Sequence, residues 1–190
     1  MERAKIINDF WIDEVGPKGW YEQSDALDQT VRDRFLGDWE NADALTAQWE
    51  GTPEGALASL ILTDQFPRNM FRGDARSFAT DPLAVAIADR ALAAGFDLQT
   101  PEPGRQFFYL PYEHAEDLAL QEKAVALFAE RMPGENLRHA EIHRDTIAKF
   151  GRFPWRNAAL GRMPTPAEQR VMDAGGYGAL VSGKLSLDDL

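Results

Sequence analysis

The chain contains no cysteine, which removes disulfides, thiolate metal sites and a thiol nucleophile from its chemistry. Histidine is scarce: His114, His139 and His143 are the whole supply, so any imidazole chemistry is confined to two short stretches. Long apolar runs are absent too. The longest, residues 56–62, is far short of the ~20 residues that cross a bilayer. No apolar stretch follows Met1-Glu2-Arg3-Ala4-Lys5, so no secretory leader is expected and the chain reads as soluble and cytoplasmic. A phosphate-cradling glycine loop, a Gly-x-Ser-x-Gly elbow and a dinucleotide fingerprint are all missing, so no cofactor is predicted. Basic charge is in deficit: 20 Lys and Arg stand against 31 Asp and Glu, a net of −11. That excludes broad nucleic-acid binding, which needs a basic face.

The 190 residues are 44% hydrophobic and 27% charged, enough for one domain over 1–190 with a real core. Charge is uneven. Residues 1–54 hold 13 acids and 5 bases, whereas residues 64–162 hold 14 acids and 13 bases. The bases are mostly arginine, whose planar fork suits carboxylates and phosphates.

Helical periodicity dominates. Ile6, Ile7, Phe10 and Trp11 share a face. Ser24 or Asp25 caps a second helix carrying Leu27, Val31 and Phe35, with Gly37 as its stop. Trp39, Ala42, Leu45 and Trp49 mark a third helix, and Thr52-Pro53-Glu54 opens a fourth that Pro67 ends. Asp81-Pro82 starts another, up to Gly95. Residues 96–112 are irregular, with room for a single strand at residues 105–110 that has no partner. Helices follow from about Glu113 to Met132, with Leu118, Val125 and Phe128 inward, and from about Glu135 to Phe150. Thr165-Pro166-Ala167-Glu168 is a capping box for the last helix, and the tail from about residue 175 is glycine-rich and partly ordered. The fold class is therefore all-α, about seven or eight helices in antiparallel pairs, with the look of a helical-repeat domain.

One pattern occurs twice: Asp64-Gln65-Phe66-Pro67-Arg68-Asn69-Met70-Phe71-Arg72 and Arg152-Phe153-Pro154-Trp155-Arg156-Asn157, followed by Arg162. Each proline is expected to push its phenylalanine into an extended conformation, leaving an Arg-Asn pair on a turn at a helix end. Two such turns facing one another would make a donor-rich pocket, with Gln65, Arg68, Asn69, Arg72, Arg105, Arg152, Arg156, Asn157 and Arg162 gripping an anionic small molecule or a peptide carboxylate. The plainer reading spends the same arginines on protein acids to lock helix ends, as structural ion-pair networks do.

A second constellation joins His114 with Glu113, Glu116 and Asp117 at a helix start, where an imidazole and carboxylates could do acid–base work. A third places His139 and His143 at i and i+4 on one helix face, as zinc ligands can stand. The intervening glutamate is misplaced for the metalloprotease pattern, and no metal is predicted. The tryptophans Trp11, Trp20, Trp39 and Trp49 suit a core better than an aromatic groove.

The order of these motifs resembles a known family. Asp64-Gln65-Phe66-Pro67-Arg68-Asn69, Ala79-Thr80-Asp81-Pro82-Leu83-Ala84, Tyr109-Leu110-Pro111 with His114 and Glu116-Asp117, His143-Arg144, and Phe150-Gly151-Arg152-Phe153-Pro154 with Arg156-Asn157 are similar to the bacterial family catalogued as domain of unknown function 924. The resemblance spans nearly the whole chain. It implies an all-α fold similar to tetratricopeptide-repeat proteins and supplies no activity. The family usually has histidine where this chain has Trp155, and serine where it has Ala115. Those departures favour binding or architecture over chemistry at the two positions.

Three functions remain open. The first is a helical binding module for an anion. The second is a hydrolase-like enzyme using His114 and His143 with Asp64, Glu113 or Glu116. The third is a structural role for the motifs, with an interaction surface elsewhere, such as the acidic N-terminal third.

Overall fold

A computed structural model describes residues 1–190. They form helices and turns with no strand, so the fold is all-α, and eight of the helices have seven residues or more. Packing divides the chain into two compact units, Met1–Pro111 and Tyr112–Leu190.

The first unit contains α1 (Glu2–Asn8), α2 (Asp25–Glu40), α3 (Ala42–Trp49), α4 (Pro53–Leu60), α5 (Phe66–Met70) and α6 (Asp81–Ala93). Wide π-helical stretches, Asp9–Val15 and Ile61–Gln65, extend α1 and link α4 to α5. α4 is the central element, and residues 55–67 are buried without a break. Thr52 caps it by accepting from the Gly55 N–H. Gly55 is obligatory, since a Cβ there would lie 1.8 Å from the Trp49 carbonyl oxygen. Below it, Phe66 packs on Phe35 at 4.7 Å, Trp11 at 5.5 Å and Phe10 at 6.0 Å between ring centroids. Trp11, Trp20 and Trp49 are all buried, which makes them core.

Three local expectations are corrected here. Pro67 does not end the helical path, and Phe66 is helical at φ −56 and ψ −38. The preceding π-helical stretch widens the backbone, and the proline falls in the first turn of α5, where its missing N–H has no helical partner to lose. Gly37 does not stop α2, which runs on to Glu40. Glycine there costs about 1 kcal/mol against alanine. The packing of Trp39 on Phe71 at 4.5 Å, with its indole N–H on Thr80, outweighs that cost. Residues 105–110 make no strand. They belong to the 3-10 turn Gly104–Phe108 and the short helix Leu110–Glu113, which bury Phe107, Phe108 and Tyr109. A lone strand has no ladder partner, whereas a tight turn satisfies its own backbone.

The second unit contains α7 (Leu118–Arg131), α8 (Glu135–Phe150), α9 (Pro166–Ala174) and α10 (Tyr177–Val181). α7 and α8 form a helical hairpin through the short turn at Met132. α7 begins at Leu118 and not near Glu113, because Asp117 caps it by accepting from the Leu120 N–H. Leu118 therefore sits in the first turn and is 45% exposed, not inward as expected. The turn before it is held by buried Gln121, whose amide donates to the carbonyls of Glu113 and Ala115. The Thr165/Glu168 capping box forms at the start of α9 as the sequence predicts.

Candidate functional site

The second Phe-Pro motif begins where α8 ends. Phe153 is extended at φ −87 and ψ 115, the conformation expected before a proline, and a 3-10 turn Pro154–Arg156 follows. Acids from the same unit fix this turn. Arg152 makes a fork on Glu168 at 2.6 and 2.8 Å. Arg162 makes another on Glu116 at 2.6 and 2.9 Å, and the Phe153 N–H donates to that same carboxylate at 2.8 Å. Asn157 accepts from Arg162 through its amide oxygen.

These contacts set the charge state of the acids. The Arg152 hydrogen bonds, against the opposing effect of burial, pull the Glu168 carboxyl down to about 2. Burial pushes Glu116 upward, but the Arg162 fork and the Phe153 N–H outweigh it and leave the carboxyl below its ordinary value. Glu116, a candidate acid or base, is thus held as a carboxylate.

Next to this turn lies a histidine–carboxylate pair. His143 projects from α8, and its Nδ1 is 3.0 Å from Glu113 Oε1 and 2.9 Å from the His139 carbonyl oxygen. Glu113 and His143 are 4% and 9% exposed. Both neighbours of Nδ1 are acceptors, so Nδ1 carries the proton, and the Nε2 lone pair is left without a protein partner. Aromatic rings enclose the imidazole: Tyr177 at 4.6 Å, Phe153 at 5.3 Å and Trp155 at 5.9 Å. The His114 ring stands 6.4 Å from that of His143. Arg156 donates to the His114 carbonyl at 2.8 Å and lies over the Phe153 ring at 4.7 Å. His139 shares a hydrogen bond with the Tyr177 hydroxyl. No group of three or more histidine and carboxylate side chains is arranged as a metal cage.

The first motif lies in the other unit and has a different character. Arg72 makes a fork on Asp28 at 2.7 and 2.9 Å, and Asn69 donates to the same carboxylate at 2.8 Å. Burial raises the Asp28 carboxyl, yet the Arg72 and Asn69 hydrogen bonds overcome it and leave a net lowering. Arg68 pairs with Asp81 at 2.7 Å and Asp64 at 3.5 Å, and donates to the Ser77 carbonyl. Gln65 donates to Asp64. Arg105 donates to the carbonyls of Asp97 and Thr100 and approaches Glu102 at 3.5 Å. Within the first unit, then, Asp64, Gln65 and Arg68 adjoin one another, while Asn69 and Arg72 meet on Asp28.

Within the second unit the structure brings together His114, His143, Glu113, Glu116, Arg152, Arg156, Asn157 and Arg162. Sequence reasoning missed Tyr177 as a site residue, treated Trp155 only as a departure from a pattern, and treated Glu168 only as a cap. The one signal for Tyr177 was a lone aromatic directly after Gly175-Gly176. An open groove of about 690 Å³ also lies in this unit, between α8 and the chain after α10.

The family described as bacterial protein of unknown function, DUF924, matches residues 7–176. A solved structure, that of a protein of unknown function from Agrobacterium tumefaciens, is similar to this chain with a TM-score of 0.87 and 43% sequence identity. The alignment covers 92% of this chain and 98% of that one. No curated protein matches.

Proposed function

We propose, for a chain that belongs to the DUF924 family of bacterial proteins of unknown function, an acid–base enzyme of hydrolytic type with His143 as its working group. The observation that carries this reading is the 3.0 Å contact between His143 Nδ1 and the buried Glu113 carboxylate. A carboxylate and a carbonyl on Nδ1 fix one tautomer and one ring orientation, which leaves Nε2 to take a proton. In the reaction, water adds to the substrate's electrophilic centre and gives its proton to Nε2. The same proton then passes to the leaving group, and the imidazole returns to its starting state. The aromatic rings around His143 lower the local dielectric and strengthen each of these charge interactions.

Arg156 has the supporting role. It donates to the His114 carbonyl and lies over the Phe153 ring, which holds the turn beside His143 in place. The expected anion grip is thereby narrowed. Arg72, Arg152 and Arg162 each commit a fork to a protein carboxylate, and their work is to hold elements in register. The substrate class is an anionic small molecule with a hydrolysable ester or phosphate bond. No helix is long and apolar enough to cross a membrane.

The test is a panel of p-nitrophenyl esters and phosphates across a pH series. The wild-type chain should hydrolyse at least one class, with a rate that rises as an imidazole loses its proton. His143→Ala should lower that rate by about 10²–10⁴-fold, the range for a general base, with Glu113→Gln in between. Hydrolysis that survives in His143→Ala, or none by the wild type on either class, overturns the reading.

A further inference from the structure

The family match ends at residue 176, and the next residue is the one that closes over His143. Tyr177 opens α10, lies against the His143 and Trp155 rings, and holds His139 through its hydroxyl. The segment that carries it, residues 177–190, is weakly built. It buries few apolar side chains, with Ala179 at 3% and Leu180 at 8% exposure. Flexible cationic side chains tie it to the unit: Arg138 donates to the Val181 carbonyl, Lys149 to Leu187 at 3.0 Å and Arg170 to Leu190 at 3.1 Å. Beside it lies the open groove of about 690 Å³, lined by Ile142, Asp145 and Lys149 of α8 and by Leu185 and Leu187 of the segment. Just before it, Gly175 and Gly176 have φ of 121 and 63, values that glycine adopts without strain and other residues resist.

Few buried contacts, exposed ties and a two-glycine joint are the marks of a segment that opens locally below the free energy of global unfolding. We propose that residues 177–190 are a hinged strap that controls access to His143, swinging about Gly175-Gly176 and lifting Tyr177 from the imidazole. When the strap is closed, His143 lies beneath the Tyr177 ring. When it is open, the imidazole faces solvent, with Phe153 and Trp155 as the remaining walls. The strap gives this reading of the site its regulation: whatever shifts the hinge equilibrium sets how often Nε2 meets a substrate.

The inference rests on His143 being the working group, but its test reads chemical access and not turnover, so the two can fail separately. Diethyl pyrocarbonate labelling of each histidine is followed by peptide mass spectrometry on the full chain, with amide hydrogen exchange measured in parallel. In the wild type, amides of residues 177–190 should exchange much faster than those of residues 140–147. The variant Arg138→Ala/Lys149→Ala, which removes two exposed ties, should speed both strap exchange and His143 labelling by about threefold or more. Exchange at residues 140–147 should stay unchanged. A second measurement needs no variant: in dilute urea below the unfolding midpoint, His143 labelling and strap exchange should rise together. Strap amides as protected as those of α8, or a strap that loosens while His143 labelling stays fixed, overturns the proposal.

Discussion

The two Phe-Pro motifs share a sequence and differ in what surrounds them. The copy at Phe66 is part of a continuous helical path inside the most buried stretch of the chain, and its Asn69 and Arg72 converge on Asp28 of α2. The copy at Phe153 follows a helix end, in extended backbone, and its arginines hold Glu116 and Glu168. The chemistry of the locks is the same, an arginine fork on a buried or half-buried carboxylate. The neighbours are not: the second copy touches a histidine–carboxylate pair of its own unit through the Phe153 and Trp155 rings. A repeated motif is thus a repeated way of fastening a turn, and what the turn adjoins differs between the copies.

Matched truncations give the hardest test of that contrast. Phe66→Ala removes a fully buried ring packed among three others and should destabilise its unit by about 4 kcal/mol in urea unfolding. Phe153→Ala should cost about 3 kcal/mol, and it should also move the ring NMR signals of His143, whose imidazole it touches. If Phe153→Ala leaves those signals in place, the second copy does not adjoin the imidazole as described.

Acid sharpens the comparison. Glu168 has a folded pKa of about 2 against an ordinary value of 4.5, because the Arg152 fork favours its charged form. Its stabilising contribution is therefore complete above pH 4.5 and is lost as pH falls toward 2. The lowered carboxyls of Asp28 and Glu116 act in the same direction. Stability followed by circular dichroism should drop through this window, and Glu168→Gln should flatten the drop for the second unit. A Glu168→Gln variant with the wild-type acid slope shows that the Arg152 fork does not set it.

The smallest effect tests the corrected end of α2. Gly37→Ala places a methyl where no atom lies within 4 Å, at a helical position. It should raise stability by about 0.5–1 kcal/mol, read as a higher urea midpoint at constant slope. A loss of stability would mean that Gly37 serves the packing after all.

Much of the scaffold was legible because it depends on local signals. Ser24, Thr52 and Thr165 cap as their side chains dictate, and the spacing of Ile7, Phe10 and Trp11 puts them inside. Pro67 and Gly37 misled for different reasons: the π-helical stretch lets the proline open a new helical turn, and the packing of Trp39 outweighs the local cost of Gly37. The motifs' arginines were legible as forks, but the carboxylates they hold are distant along the chain, such as Glu116 for Arg162. The one local mark of Tyr177, an aromatic directly after two glycines, predicts neither a ring neighbour nor a hydroxyl partner.

The sequence by itself determined an all-α chain, the helix starts that carry a capping signal such as Ser24, Thr52 and Thr165, and the scarcity of groups able to do chemistry. Those follow from periodicity, capping and composition, which act over a few residues. Only the tertiary structure decided that Glu113 fixes the His143 tautomer, that Phe153 and Tyr177 wall the imidazole, and that the arginine forks are committed to acids of their own unit. Such facts depend on which side chains share a neighbourhood after the chain closes on itself, and that selection is made by packing and charge pairing summed over the whole core.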